Sequence, residues 1–430
     1  TIDHQLSSRI ARAFYLLLGL ALLRRTAHAD PIDDFWIRWV DRAALTLSAA
    51  SEDDRGYSTP AHPRDVVGDV ALSCEHQEGR PCGDGAGLFG EVDTRAGFGS
   101  WVSASSRLRL RTGTSRYGTG FDVDRLHVDG AYSTVKLKVG RDVLVLGPGR
   151  TQAGWGDHAV PLDQVRVDAR IGIASGTYVL GRLRNPQRYP GALVSIGRGQ
   201  LDFENVSVGA EQLIQLDGDG APGFSLVDFI LEHFRRRDQT ASATDSSDRR
   251  IGADVTWRIA GFGGARLYYE IMFEDWRKHF EDALRYDADH IVGFANRDVL
   301  VEWQKTGVRS QEHSPRITGF TNAGRVVGSP LGPDAQSVYV GAQRGLVRPW
   351  AELVRFSSDT YKFIAEGPIL HEARGEAEWR YRLGATTEVP IRPGLVADGR
   401  AWVEHVEHLG FVVGQRRENV GLTASLVWTP

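Results

Sequence analysis

The chain is poor in what a helical membrane protein, a metal scaffold or a familiar active site is built from. Outside residues 13–23, no apolar run approaches the ~18 residues that a spanning helix needs. Mean hydropathy is slightly negative. Two cysteines in 430 residues exclude a cysteine-rich scaffold. Methionine occurs once, and lysine only at 136, 138, 278, 305 and 362, so nearly all positive charge is arginine. No GxSxG is present, and GPGRTQAG at 147–154 lacks the Lys-Ser/Thr of a phosphate loop.

What is present is alternation. Residues 107–111 read RLRLR and 135–139 read VKLKV. Successive side chains of a strand point to opposite faces. Arg107, Arg109 and Arg111 therefore share a face opposite Leu108 and Leu110, and Lys136 and Lys138 oppose Val135, Leu137 and Val139. In a soluble sandwich the leucines point inward. In a transmembrane barrel they face lipid, and the five basic residues face the lumen.

The termini favour the barrel. Arg9 and Arg12 precede the apolar run AFYLLLGLALL at 13–23, and AHA at 27–29 offers a small-residue cleavage site. That run has the length of a secretory signal core, ~7–15 residues. Residues 1–29 are therefore expected to be a signal peptide, with 30–430 forming the exported domain. The first 29 residues carry four arginines and one aspartate, so without them the net charge of −4 becomes about −7. Such a balance argues against a nucleic-acid partner. At the other end, VGLTASLVW (420–428) places Val420, Leu422, Ala424, Leu426 and Trp428 on one face. An apolar-faced last strand suits an outer-membrane barrel.

Lipid offers no hydrogen bonds, so a spanning backbone must pair internally, and a closed barrel does this at low overall hydropathy. Residues 30–430 accommodate roughly 16–20 strands of ~10 residues with turns and loops. Candidate strands lie at 175–182, 206–214, 225–234, 250–259, 265–274, 298–305, 337–343, 350–356, 376–384 and 400–408. Turn-rich stretches such as NPQRYPG (185–191) and DGDGAPG (217–223) separate them, and TASATDSSD (240–248) reads as a polar loop. HFEDALRYDADH (279–290) reads as a short helix with Leu284 inward. Residues 51–100, rich in Gly, Asp and Pro, read as a long irregular connection.

Cys74 and Cys82 lie in that connection, in CEHQEGRPC. In an oxidising compartment a close pair in such a loop is expected to form a disulfide. His76 lies between them, but two cysteines and one histidine fall short of a four-ligand zinc set. No metal site and no cofactor are expected. VEHVEH (403–408) is not HExxH, and at strand period Glu404 and His408 oppose His405 and Glu407, as on a charged strand near a barrel rim. LDGDG (216–220) lacks the downstream glutamate of a calcium loop. GFGGAR (261–266) leads into a strand rather than a helix, which removes the dinucleotide reading. No catalytic constellation emerges.

Several segments together resemble a known family. GRDVLVLGPG (140–149), RRIGADVTWRI (249–259) with LYYEIMFED (267–275), RDVLVEWQKTG (297–307) and GRVVGSPLGPDAQSVYVGAQ (324–343) are similar, in this order, to strands and turns of the Wzi capsule assembly family. The resemblance implies a monomeric barrel of about eighteen antiparallel strands in the outer membrane of a Gram-negative bacterium, surrounded by lipid. It also implies a role in holding capsular polysaccharide at the cell surface, and a helical N-terminal plug. Only DPIDDFWIRWVDRAAL (30–45) is available for that plug, and it reads equally as strand. After GPG the family pattern implies an asparagine- and proline-bearing stretch, where this chain has RTQAGWGDHAVPLDQVRVDA (150–169).

Binding is then the expected role, with no chemistry. The planar guanidinium pairs bidentately with carboxylate or phosphate and stacks on aromatic rings. Outer loops that join arginine to tryptophan or tyrosine suit an acidic capsular or extracellular polysaccharide, and Arg150, Trp155, Arg188 and Tyr189 are the candidates. The bland alternative is that such arginines pair with lumen carboxylates. The competing function is an anion-selective pore lined by the same arginines.

Overall fold

Alternation in sequence becomes alternation in exposure. The computed structural model of the protein describes residues 35–51, 80–184, 190–221, 248–274, 280–310, 320–363, 368–373 and 375–430. Leu108 and Leu110 are exposed, the latter at 62%, whereas Arg107 and Arg109 are buried, the latter at 2%. The same inversion recurs around the wall. Leu45, Val92, Val255, Val301 and Leu422 are exposed, while Glu91, Asp254, Glu302 and Asn419 are buried. Exposed aliphatics over buried charges is the reverse of a soluble sandwich, and it suits a wall with lipid outside.

In chain order the strands are β1 (Phe35–Ser51), β2 (Gly85–Phe98), β3 (Val102–Gly113), β4 (Gly120–Tyr132), β5 (Val135–Asp142), β6 (Leu162–Ile171), β7 (Ala174–Arg182), β8 (Leu193–Asp202) and β9 (Val206–Leu216). There follow β10 (Asp248–Arg258), β11 (Arg266–Phe273), β12 (Ala288–Ala295), β13 (Val299–Lys305), β14 (Thr321–Asn322), β15 (Arg325–Val326), β16 (Ala335–Ala342) and β17 (Val347–Phe356). The last are β18 (Thr360–Phe363), β19 (Ile369–Glu372), β20 (Glu378–Arg392), β21 (Leu395–Glu407) and β22 (Arg416–Trp428). Two small hairpins, β14–β15 and β18–β19, stand apart, and the remaining eighteen strands form one antiparallel sheet. Pairing of β1 with β22, from Ala43 opposite Trp428 to Ser51 opposite Val420, closes it into a barrel. Closure leaves no edge along the paired span, so the backbone is satisfied without water.

Because every wall strand runs antiparallel to its neighbours, the connections separate by length. Short turns at 99–101, 133–134, 172–173, 203–205, 259–265, 296–298, 343–346 and 393–394 share one mouth. Long connections, among them 143–161 and 306–334, share the other. Outer-membrane barrels place short turns in the periplasm and long loops outside.

Some expectations change. The implied N-terminal helix is absent from the described part of 30–45, where Phe35 onward belongs to β1. Part of the irregular 51–100 connection is a wall strand, Gly85–Phe98. Its glycines disguise it, and Gly87 has a packing cause: a Cβ there would meet the Tyr117 ring at 2.3 Å. The expected helix at 279–290 is one α-turn, Phe280–Asp282, running into the π-turn Ala283–Asp287, and then β12. Ala283 is its buried apolar residue, with Leu284 only partly covered. The candidate strand at 225–234 lies outside the described residues.

Candidate functional site: the interior and the long-loop mouth

Ion pairs line the inner wall. Arg109 sits between Glu91, at 2.7 Å, and Asp124, at 2.9 Å. Arg107 grips Asp93 with two hydrogen bonds, and Arg80 grips Glu91 in the same way. Arg111 meets Asp122 at 2.8 Å. Lys138 lies between Asp129 and Asp142, whereas Lys136 is exposed beside the 133–134 turn. Across the barrel, Arg198 pairs with Glu211 and Asp254, Arg250 with Glu274 and Asp289, and Arg382 with Glu352 and Glu404. A buried charge is tolerated only when paired. VEHVEH belongs to this pattern: Glu404 is an inner-wall acid held by Arg380, Arg382 and Asn419, and His405 bonds Glu418.

Residues 143–161, between β5 and β6, fold into this lined interior. Leu144, Leu146, Ala153, Trp155 and Ala159 are buried, and they share a core with Val179, Leu213, Met272, Ile291 and Phe320 from other parts of the chain. The segment reaches wall strands far away in sequence. The Arg150 amide donates to Glu302 Oε2 at 2.6 Å, and the Thr151 hydroxyl donates to Glu302 Oε1 at 3.0 Å. The Arg150 guanidinium donates to Glu352 at 2.9 Å and lies 4.1 Å from the centre of the Tyr339 ring. The Ala153 amide donates to Glu270 Oε1 at 2.7 Å, and its carbonyl accepts from Arg250 at 2.8 Å. Glycine permits the approach. A Cβ on Gly147 would lie 2.4 Å from Glu270 Oε2, and one on Gly154 would lie 2.2 Å from Glu211 Oε1.

Residues 320–327 of a second long connection, 306–334, cover the first. The Gly156 amide donates to the Val327 carbonyl at 2.7 Å, and Asn322 Nδ2 donates to the Val160 carbonyl at 2.8 Å. Arg325 donates to the carbonyls of His158 and Arg80. Phe320 and Val327 join the same buried core.

The four candidate polymer contacts are placed as follows. Trp155 is 1% exposed within the inserted segment, and Arg150 is engaged by the wall carboxylates. Arg188 and Tyr189 lie outside the described residues, as does Cys74, whereas Cys82 is buried. Sequence reasoning missed the acids that receive the segment, Glu270, Glu302 and Glu352. Their signal was present: each is the one acid of its strand and sits at a buried, inward position.

The family model for capsule assembly protein Wzi matches residues 57–419. The chain belongs to the Wzi capsule assembly family. Among solved structures, this Wzi-family barrel is similar to Escherichia coli Wzi, an outer-membrane protein involved in group 1 capsule assembly and described as a carbohydrate-binding β-barrel. The TM-score is 0.60 at 14% identity, covering 91% of this chain and 85% of that one. It is also similar to OccD3 and OprD of Pseudomonas aeruginosa, each with a TM-score of 0.52 at 9% identity. OccD3 covers 90% of this chain and 91% of its own, and OprD covers 93% and 97%. At such identities these likenesses concern the fold. No curated protein matches the chain. Family and fold place this barrel in the outer membrane of a Gram-negative bacterium.

Proposed function

We propose that this barrel binds and anchors capsular or extracellular polysaccharide at the cell surface, as a monomer and without chemistry of its own. One observation carries the reading: the interior is occupied by a segment latched to the wall through Glu270, Glu302 and Glu352. An anion pore needs a wetted path with positive charge free to meet the solute. Here the buried wall arginines 109, 250 and 382 are each matched by two carboxylates. An occupied lumen leaves the long-loop face as the working surface, and that face lies outside the cell if the barrel has the usual orientation. Family membership supports the choice of polysaccharide as ligand.

The test is binding by the purified barrel in lipid nanodiscs. Surface polysaccharide from the bacterium that makes the protein should bind saturably, and planar bilayers containing the barrel should stay electrically quiet. Absence of binding, together with steady anion-selective conductance, would replace the anchoring reading with the pore.

A further inference from the structure

Two loops at the long-loop mouth bring three rings and one guanidinium together outside the wall. Tyr286 belongs to the π-turn between β11 and β12, and Tyr361 and His371 belong to the β18–β19 hairpin. Tyr361 and His371 stack with centroids 5.1 Å apart. Tyr286 lies 5.8 Å from Tyr361 and 5.7 Å from His371. The Ile369 amide donates to Asp282 at 3.0 Å and ties the hairpin to the turn. Asp359 holds the His371 ring at 2.8 Å, and Tyr361 donates to Asp334 at 3.3 Å. Burial, then the charge of Asp334, push the Tyr361 phenol above its ordinary value, so it stays a neutral donor.

Arg285 lies at the edge of this cluster, 5.2 Å from the Tyr286 ring centre. It is exposed, and among the described residues it has no carboxylate within ion-pair distance. That sets it apart from the paired arginines of the wall. Two half-buried tyrosine rings, an exposed histidine ring and a guanidinium without a carboxylate partner are what an acidic sugar chain requires. The apolar C–H face of a pyranose packs on a ring, and its carboxylate takes the planar donors of an arginine.

We propose that Tyr286, Tyr361 and His371 form a platform for a pyranose chain, and that Arg285 takes a uronate carboxylate of that chain. The assignment rests on the polysaccharide-binding reading and gives it a place and a sugar class.

The experiment uses the full barrel in nanodiscs and two fluorescent probes: the producing bacterium's own surface polysaccharide, and the same polymer with its carboxyls reduced to alcohols. Arg285→Ala and Tyr286→Ala should each weaken binding of the native polymer about fivefold to tenfold, the range expected for one lost contact. Tyr286→Phe should retain it. Carboxyl reduction should cost the wild type about as much as Arg285→Ala does, and should cost that variant nothing further, because both changes remove one contact. Tyr381→Ala, which removes an exposed ring from the wall, serves as the unaffected control. Heat-modifiable mobility reports that each variant folds. Unchanged binding in Arg285→Ala and Tyr286→Ala overturns the platform alone. Equal binding of native and carboxyl-reduced polymer by the wild type overturns the uronate assignment. No binding of either polymer by the wild type overturns the platform and the anchoring reading together.

Discussion

The guanidinium of Arg150 donates to Glu352 at 2.9 Å across 202 residues of sequence. This contact joins a segment that follows β5 to a strand on a distant part of the barrel wall. With the bonds to Glu302 and Glu270, it makes the occupied interior part of the fold rather than a loop lying over it.

Loss of the latch should open the barrel. Glu302 accepts from the Arg150 amide, the Thr151 hydroxyl and Tyr268. Glu302→Ala leaves the Arg150 amide and the Tyr268 hydroxyl without an acceptor, at about 1–3 kcal/mol each, while the Thr151 hydroxyl keeps Gln304 at 2.8 Å. Local destabilisation of that size should release the segment while the wall persists. Planar-bilayer recordings should show intermittent channels for Glu302→Ala and Arg150→Ala and none for the wild type. Silent variants would mean that the segment is held mainly by Trp155 and its apolar neighbours.

The wall itself can be tested at neighbouring residues. Leu108→Arg puts a charge against lipid and should cost about 2–4 kcal/mol near the midplane. Sequence alternation alone makes Arg109→Leu the milder change. The structure reverses that expectation, because Arg109 bridges Glu91 and Asp124: Glu91 keeps Arg80, but buried Asp124 is left without its close partner, at about 3–5 kcal/mol. Arg111→Leu, from a half-exposed pair with Asp122, should cost under about 1 kcal/mol. Urea titrations of folding into lipid vesicles would give the order.

Three glycines separate close approach from mere composition. Gly154→Ala must push against the Glu211 carboxylate and Gly147→Ala against Glu270, so each should destabilise the inserted segment by about 1–3 kcal/mol. Gly199 has nothing within 4 Å of a built Cβ, and Gly199→Ala should stay within about 0.5 kcal/mol of wild type. Limited proteolysis of the 143–161 segment should distinguish the first two variants from the third.

The Cys74–Cys82 bridge is expected to form after export. Purified protein should then show no free thiol until it is reduced. The closed loop is short, so its loss should cost about 2–3 kcal/mol at most, without unfolding the barrel. Thiol labelling of the unreduced protein would refute the bridge.

Alternation made the barrel legible. RLRLR, VKLKV and VGLTASLVW lie in β3, β5 and β22, with the predicted apolar side outward at Leu108, Val135 and Leu422. It failed where glycine removes the pattern, as in GAGLFGEVDTRAGF. The inserted segment was not legible. GPGRTQAGW shows glycine and polar residues, and the cause of its conformation lies in carboxylates more than 110 residues away. Arg150 and Trp155 stood out because arginine beside tryptophan suits sugar binding. The same chemistry, Arg285 beside Tyr286, passed unnoticed because its partners Tyr361 and His371 come from another loop.

The central claim is tested most directly by deleting the gene and measuring where the polysaccharide goes. Cell-bound and released polymer are quantified separately in wild-type, deletion and complemented strains at matched growth. The account predicts unchanged total polymer, with most of it lost from cells to the medium in the deletion strain and returned by complementation. Undiminished cell-bound polymer in the deletion strain would contradict it.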